Sequence, residues 1–388
     1  MINFTYQNPT KMVFGKLVEE QVGELTKKYG KKILLHYGSR SIKQYGLYDR
    51  IIRSLQAADV AYVELGGVIA NPSLELVYEG IKLCKKEHVD FILAVGGGSV
   101  IDSAKAIAMG VYYPHDVWDF YVKGVVPKQA LPIGTVLTIP AAGSESSIAT
   151  VITNYKAGLK RACRFDILRP VFAVMNPEIT MTLPPYQTAS GVIDMIGHVI
   201  ERYFTNTSHV SLIDRMSEGL IRTVIEQGRI VMNNPTNYDA RAEIMLAGAL
   251  AHNGSLGVGR IEDWACHNME YEITQVSGIS HGHGLAILYP VWMRYVMDHD
   301  VERFAMFANK VFDVPYSDDL ETMARTGIDF LEAFYREMGM KMSLREVGIT
   351  KDQLPQMADL VSKSGTITIG NFVTLDRNDI LTIYTNAL

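Results

Sequence analysis

This sequence predicts an α/β unit followed by an all-helical unit, on three observations. Up to about residue 180, short β-rich apolar runs alternate with longer stretches of helical spacing. After Leu183-Pro184-Pro185 the strand signals fade and helical periodicity takes over. The length, 388 residues of which 48% are hydrophobic, suffices for two domains that each bury a core.

The elements justify this in chain order. Residues 33–35, 61–65, 91–95, 134–139 and 171–174 read as buried strands, and 73–87 and 102–109 carry the i, i+3, i+4 spacing of helices. Strand and helix in alternation imply a mostly parallel sheet with helices on both faces. Beyond the prolines, Leu320, Met323, Ala324, Gly327, Ile328, Leu331, Tyr335 and Met338 lie on one helical face, and Gly339 stands where the helix stops. A boundary is therefore expected near residue 185, and no internal repeat or low-complexity tract is visible.

Composition excludes several classes. With 37 Lys+Arg against 42 Asp+Glu, the formal net charge of −5 leaves no basic surplus for a nucleic-acid backbone. No run of about 18 uncharged apolar residues predicts a membrane span. The start, Met1-Ile2-Asn3-Phe4-Thr5-Tyr6, lacks the pattern of a secretory signal. Cys84, Cys163 and Cys266 are scattered without CxxC spacing, which predicts a reducing compartment, the cytoplasm, and neither disulfides nor a thiolate metal site.

Three loops carry chemistry. The strand at 91–95 runs into Gly96-Gly97-Gly98-Ser99 and then Asp102 and Lys105. Such a turn lets backbone N–H groups approach an anion at the positive end of a helix. The plainer reading is a tight turn with a capping box, Ser99 as N-cap and Asp102 three residues on. Three glycines exceed what a turn requires, since each costs conformational entropy, and this favours phosphate binding. The pattern is not GxGxxG, so an ordinary Rossmann dehydrogenase is not indicated. A second loop, Thr138 to Ser147, follows another strand and falls at the same carboxyl edge, where α/β proteins bind ligands. At the end of the first strand, Gly38-Ser39-Arg40-Ser41-Ile42-Lys43 holds hydroxyls and cations but no carboxylate. That composition suits a ribose 2′-phosphate, with a solvated basic helix start as the alternative.

Asp194 and His198 stand four apart, on one face of a helix, and His267 and His281 follow downstream, with His252 and His283 nearby. Burying such groups without a metal or a proton partner is costly. Oxygen and nitrogen donors without sulfur suit Fe(II), Zn(II), Mn(II) or Co(II), and such a site could also serve hydrolysis through metal-bound water.

Taken together, residues 96–105, the Thr138–Glu145 loop, Gly191-x-x-Asp194-x-x-x-His198-x-x-Glu201, and His267 followed by His281-Gly282-His283-Gly284 resemble the iron-containing (group III) alcohol dehydrogenases. The likeness runs the whole length, includes Asn71-Pro72 and Leu183-Pro184-Pro185, and is greatest to the butanol dehydrogenase branch, which reduces aldehydes with NADPH or NADH. It implies a Rossmann-like dinucleotide-binding domain over 1–185 and an all-helical metal-binding and substrate domain over 186–388, in a dehydroquinate synthase-like architecture. It implies that Asp194, His198, His267 and His281 hold one divalent ion, Fe(II) or Zn(II). It places Asn71, Gly97, Gly98, Ser99, Asp102, Thr138, Ser147 and Lys160 at the cofactor, with Gly38, Ser39, Ser41 and Lys43 receiving a 2′-phosphate. NADP(H) is accordingly expected over NAD(H).

Catalysis is expected at His267 and Tyr271. Many members have a second His at the latter position as a proton relay, and a phenol is a different acid, with an ordinary pKa near 10. Ser146-Ser147 also departs from the bulkier or amide residues of close relatives. The expected substrates are short-chain aldehydes and primary alcohols such as butanal and butanol, in a homodimer. Alternatives are a glycerol dehydrogenase-like or dehydroquinate synthase-like enzyme, or a non-catalytic cofactor-binding protein.

Overall fold

The structure, a computed structural model, describes residues 1–39 and 41–388; Arg40, one of the two cations of the basic loop, lies outside the described residues. Eight strands are present among them: β1 Lys11–Phe14, β2 Lys32–Tyr37, β3 Ala61–Leu65, β4 Phe91–Gly96, β5 Ile133–Leu137, β6 Ala149–Asn154, β7 Leu159–Arg164 and β8 Phe172–Met175. Helices of eight residues or more are α1 Leu47–Ala57, α2 Leu74–Glu87, α3 Gly98–Val111, α4 Pro185–Tyr203, α5 Ser211–Asn233, α6 Tyr238–His252, α7 Ala265–Ser277, α8 His281–Val296, α9 Val301–Phe312, α10 Leu320–Glu337, α11 Leu354–Ser362 and α12 Arg377–Asn386.

Six strands form one sheet in the order β1-β8-β5-β4-β2-β3, and every pairing in it is parallel. Successive side chains of a strand point to opposite faces, so continuous apolar runs bury both. Leu34, Ile92 and Ala94 join the core under α2 and α3, while Ile33, Leu35, Phe91, Leu93 and Val95 join the one under α1. The sequence reading missed β1, a four-residue edge strand, and the antiparallel ribbon β6–β7, whose residues mix polar and apolar without regular alternation. Its strand at 134–139 ends at Leu137; the Thr138 N–H still bonds the Gly96 carbonyl at 3.1 Å before Pro140 turns the chain.

Two compact units result: residues 7–183 with 236–253, and residues 1–6 with 184–235 and 254–388. Two segments depart from a single boundary at 185. The first six residues group with the helices, and α6 groups with the sheet because Met245 and Ala249 enter the core cluster of β4, α2 and α3. In the second unit the described residues form helices and no strand beyond one isolated bridge, Ile369 with Leu375. In α10, Met323, Ala324, Gly327, Ile328, Leu331 and Tyr335 are buried as the periodicity requires, and Gly339 follows the helix with φ +81°, the left-handed conformation that glycine adopts without strain.

Candidate functional site

In the sheet unit, the chain crosses from β2 to β3 in one direction and to β4 in the other, so the topological switch point lies between the carboxyl ends of β2 and β4. Open parallel sheets bind ligands in that crevice. The Gly-rich turn and the basic loop are its two rims.

Helix α3 starts at Gly98, with Gly97 as its N-cap in extended conformation and no side chain capping it. This corrects the capping box: Ser99 lies inside the helix, and Asp102 turns away from the helix start. Its carboxylate accepts from Ser144 Oγ at 2.6 Å and from the Val151 N–H at 3.0 Å, tying α3 to the second loop and the ribbon. A Cβ on Gly97 would lie 2.9 Å from Ile139 Cβ, and one on Gly98 would lie 3.1 Å from Ala142 Cβ. Side chains here would fill the cradle, so the turn fits a phosphate-bearing group approached by bare backbone.

The loop from Thr138 to Ser147 is held by Lys105, a fully buried lysine of α3. Its ammonium donates to the carbonyls of Ser144, Ser147 and Ala149 at 2.8–2.9 Å and to Ser144 Oγ at 2.9 Å. Burial lowers its pKa to about 8, opposed by Asp102 and Glu145. Burial raises the Glu145 carboxyl to about 7. Ser147 is buried in this network, whereas Thr138 is half-buried at the sheet edge. Asn71, at φ +57°, accepts a hydrogen bond from Tyr155, and the adjoining Ser73 bridges to Thr153, whose partner across the ribbon is the buried Lys160. The ribbon thus links Asn71 with Lys160, and Lys105 holds Ser147.

The basic loop is more open. Ser39, Ser41 and Lys43 are exposed and Gly38 is half-buried. The stretch has no acid of its own, yet the fold supplies one: Glu64 of β3 lies 3.8 Å from Lys43 Nζ and accepts from Tyr37 and Tyr48 at 2.7 and 2.6 Å.

The helical unit gathers the acid and imidazoles. Asp194 and His198 sit one turn apart on α4, with His198 Nδ1 3.4 Å from Asp194 Oδ1. His267 lies near the start of α7, and His281 opens α8. Ligand atoms of Asp194, His267 and His281 lie within 4.8 Å of one another. His198 stands beside this group, its ring centroid 4.7 Å from that of His267, without joining the mutual set. Tyr271, half-buried one turn after His267, stacks on His281 with centroids 6.2 Å apart. His283 and His252 serve elsewhere. The first bonds Tyr186 and the Lys341 carbonyl, and the second bonds the Ala142 carbonyl in the sheet unit.

Two buried glutamates complete the centre. Glu201, also on α4, accepts from the His267 ring Nδ1 at 2.7 Å and the Tyr289 hydroxyl at 3.1 Å. It also accepts the backbone N–H groups of His267 and Trp264 at 2.9 and 2.6 Å, and so caps the start of α7. Burial raises its carboxyl to about 7 against those donors. Glu270 of α7 bonds His281 Nδ1 in the same manner. A carboxylate only accepts, so each Nδ1 carries the proton and each Nε2 keeps its lone pair. His281 Nε2 indeed faces Asp194 Oδ1 at 3.7 Å. This is a donor set that fits a divalent cation, with oriented imidazoles and no sulfur. The sequence reading included Glu201 in a motif without a role and missed Glu270 and Tyr289. The glutamates' only signal was a spacing of three from an imidazole, which many acids on helices share, and Tyr289 carried none.

Two family models match the chain: "Iron-containing alcohol dehydrogenase" over residues 9–177 and "Fe-containing alcohol dehydrogenase family, C-terminal" over residues 188–388. The chain belongs to the iron-containing alcohol dehydrogenase family. Within it, the chain falls in the butanol dehydrogenase and aldehyde reductase branch. It is 43% identical over 389 residues to "Probable NADH-dependent butanol dehydrogenase 1" of Bacillus subtilis (strain 168), covering 100% of both chains. It is 34% identical over 381 residues to the "NADPH-dependent aldehyde reductase YqhD" of Escherichia coli (strain K12), covering 97% of each. A crystal structure described as NADH-dependent butanol dehydrogenase A from Thermotoga maritima superposes with a TM-score of 0.95 at 36% identity, over 100% of this chain and 99% of that one. An iron-type alcohol dehydrogenase is an oxidoreductase that works with NAD(P)H and a divalent metal. No helix among the described residues is long and apolar enough to cross a membrane.

Proposed function

We propose that this oxidoreductase interconverts short-chain aldehydes, such as butanal, with their primary alcohols. In this reading Asp194, His198, His267 and His281 hold Fe(II) or Zn(II), and NADPH is the preferred hydride donor. The observation that carries it is the convergence of Asp194, His267 and His281, from three helices, to within 4.8 Å. When bound, the cation supplies Lewis acidity toward a carbonyl oxygen and the nicotinamide supplies the hydride.

The chain's own residues do the rest. Asp194 brings the negative charge that anchors a cation, while neutral imidazoles leave it electrophilic. Glu201 and Glu270 hold the rings of His267 and His281 with Nε2 presented to the centre. Tyr271 holds a phenolic proton beside His281, where many relatives hold an imidazole proton, and passes it to the nascent alcohol. In the sheet unit, Gly97 and Gly98 leave room for the pyrophosphate, Ser99 faces it from the first turn of the helix, Asp102 ties that helix to the second loop, and Asn71, Thr138, Ser147 and Lys160 line the edge. Gly38, Ser39, Ser41 and Lys43 meet the 2′-phosphate. One observation favours NADH instead, the contact of Lys43 with Glu64. A homodimer in the cytoplasm accompanies this reading, and three buried thiols suit a reducing compartment.

Metal analysis of the purified protein, with a panel of aldehydes assayed against NADPH and NADH, tests the proposal. Butanal should oxidise NADPH faster than NADH, and His267→Ala should lose metal while staying folded. Absence of turnover in the metal-loaded protein, or full metal content in the variant, overturns it.

A further inference from the structure

We infer that Glu64 is a specificity-determining residue that tempers the preference for NADPH over NADH. The inference rests on the dinucleotide reading of the switch-point crevice. Parallel pairing of β2 and β3 sets Leu35 against Glu64 and His36 against Leu65, so Glu64 stands near the carboxyl edge beside the strand that leads into residues 38–43. The two connections are tied together: the Gly67 N–H bonds the Gly38 carbonyl at 2.8 Å, and the Val68 N–H bonds the Tyr37 carbonyl at 3.3 Å.

The Glu64 carboxylate is fixed in place. Tyr37 donates to one oxygen at 2.7 Å and Tyr48 to the other at 2.6 Å, an arrangement that only an acceptor on both oxygens satisfies. Lys43 lies 3.8 Å from the same carboxylate, and its ammonium covers the Tyr48 ring at 4.5 Å and the Tyr37 ring at 5.1 Å. The one cation described in the basic loop is therefore already matched by an anion. A ribose 2′-phosphate, carrying close to two negative charges at neutral pH, meets both Lys43 and the repulsion of Glu64. A ribose 2′-hydroxyl meets no repulsion, and each oxygen of Glu64 has a second lone pair with which to accept it. Glu64 thus opposes one cofactor and suits the other.

The test compares kcat/KM for NADPH and NADH, with butanal, in the metal-loaded wild type, Glu64→Gln, Glu64→Asp and Lys43→Met. Glu64→Gln should raise the NADPH:NADH ratio about tenfold, the scale of one charge removed at a partly exposed site. Glu64→Asp keeps the charge and should stay nearer to the wild type, whereas Lys43→Met should lower the ratio. Equal shifts in both Glu64 variants, or no shift in Glu64→Gln while Lys43→Met moves the ratio, overturn the inference and leave the cofactor reading standing. A ratio unmoved by any variant removes both.

Discussion

Replacing Glu201 by Gln separates metal positioning from mere helix capping. In the folded protein one carboxylate oxygen accepts from the His267 ring at 2.7 Å, the His267 N–H at 2.9 Å and Tyr289 at 3.1 Å, and the other accepts from the Trp264 N–H at 2.6 Å. A glutamine that keeps its carbonyl toward His267 turns its NH₂ toward Trp264, setting two buried donors against each other. Leaving one such donor unmatched costs about 1–3 kcal/mol. Losing the charge also lowers the basicity of the His267 ring, and changes of this kind weaken metal affinity by about 10- to 100-fold, or roughly 1.4–2.7 kcal/mol. Chelator competition with Zn(II) measures the second effect, and thermal unfolding of the metal-free protein measures the first. The metal-free variant should melt a few degrees lower and bind Zn(II) more weakly. An unchanged Kd alongside a lowered Tm would show that Glu201 caps the helix and nothing more.

Two further outcomes follow from neighbouring groups. Tyr271→Phe should lower kcat about 100-fold with little change in KM if the phenol passes the proton, whereas loss of packing against His281 alone would leave kcat near the wild type; steady-state kinetics with butanal decides. His36 is buried between the Leu65 carbonyl and Ser103 Oγ, and burial lowers its pKa from 6.5 to about 4. Between those values the unfolded chain binds the proton and the folded one does not. Its contribution, about 3 kcal/mol, is therefore complete above pH 6.5 and lost as pH falls to about 4. Unfolding of wild type and His36→Gln across that range should show a steeper acid loss in the wild type, and parallel slopes would refute the assignment.

Much of the fold was legible because burial writes itself into spacing. Short apolar runs at 33–35 and 91–95 read as strands buried on both faces, and the stripe from Leu320 to Tyr335 read as one face of a helix; the structure bears both out. The ribbon of β6 and β7 was not legible, since its alternation is weak and the contacts that anchor it, to Ser73 and Asp102, are distant in sequence. Nor was the place of α6: its sequence is helical wherever it packs, and Met245 in the core beneath α3 is what assigns it to the sheet unit. Ser99 and Asp102 had the spacing of a capping box, but Ser144 and Val151 compete for the same carboxylate and win, because both are brought to it by the loop and the ribbon.

Beyond the ligand set, which the family resemblance implied, the order of residues by itself determined the succession of a parallel α/β unit and a helical one, the Gly-rich turn, and an Asp194–His198 pair one helical turn apart. Those properties depend on local spacing and residue type. Only the tertiary structure decided that Glu201 and Glu270 anchor two of the imidazoles, that His198 stands beside the three mutually close donors, and that Glu64 confronts Lys43. Each of those is an electrostatic meeting of groups on different elements. Its strength depends on distance and burial, which packing of the chain creates and linear spacing does not record.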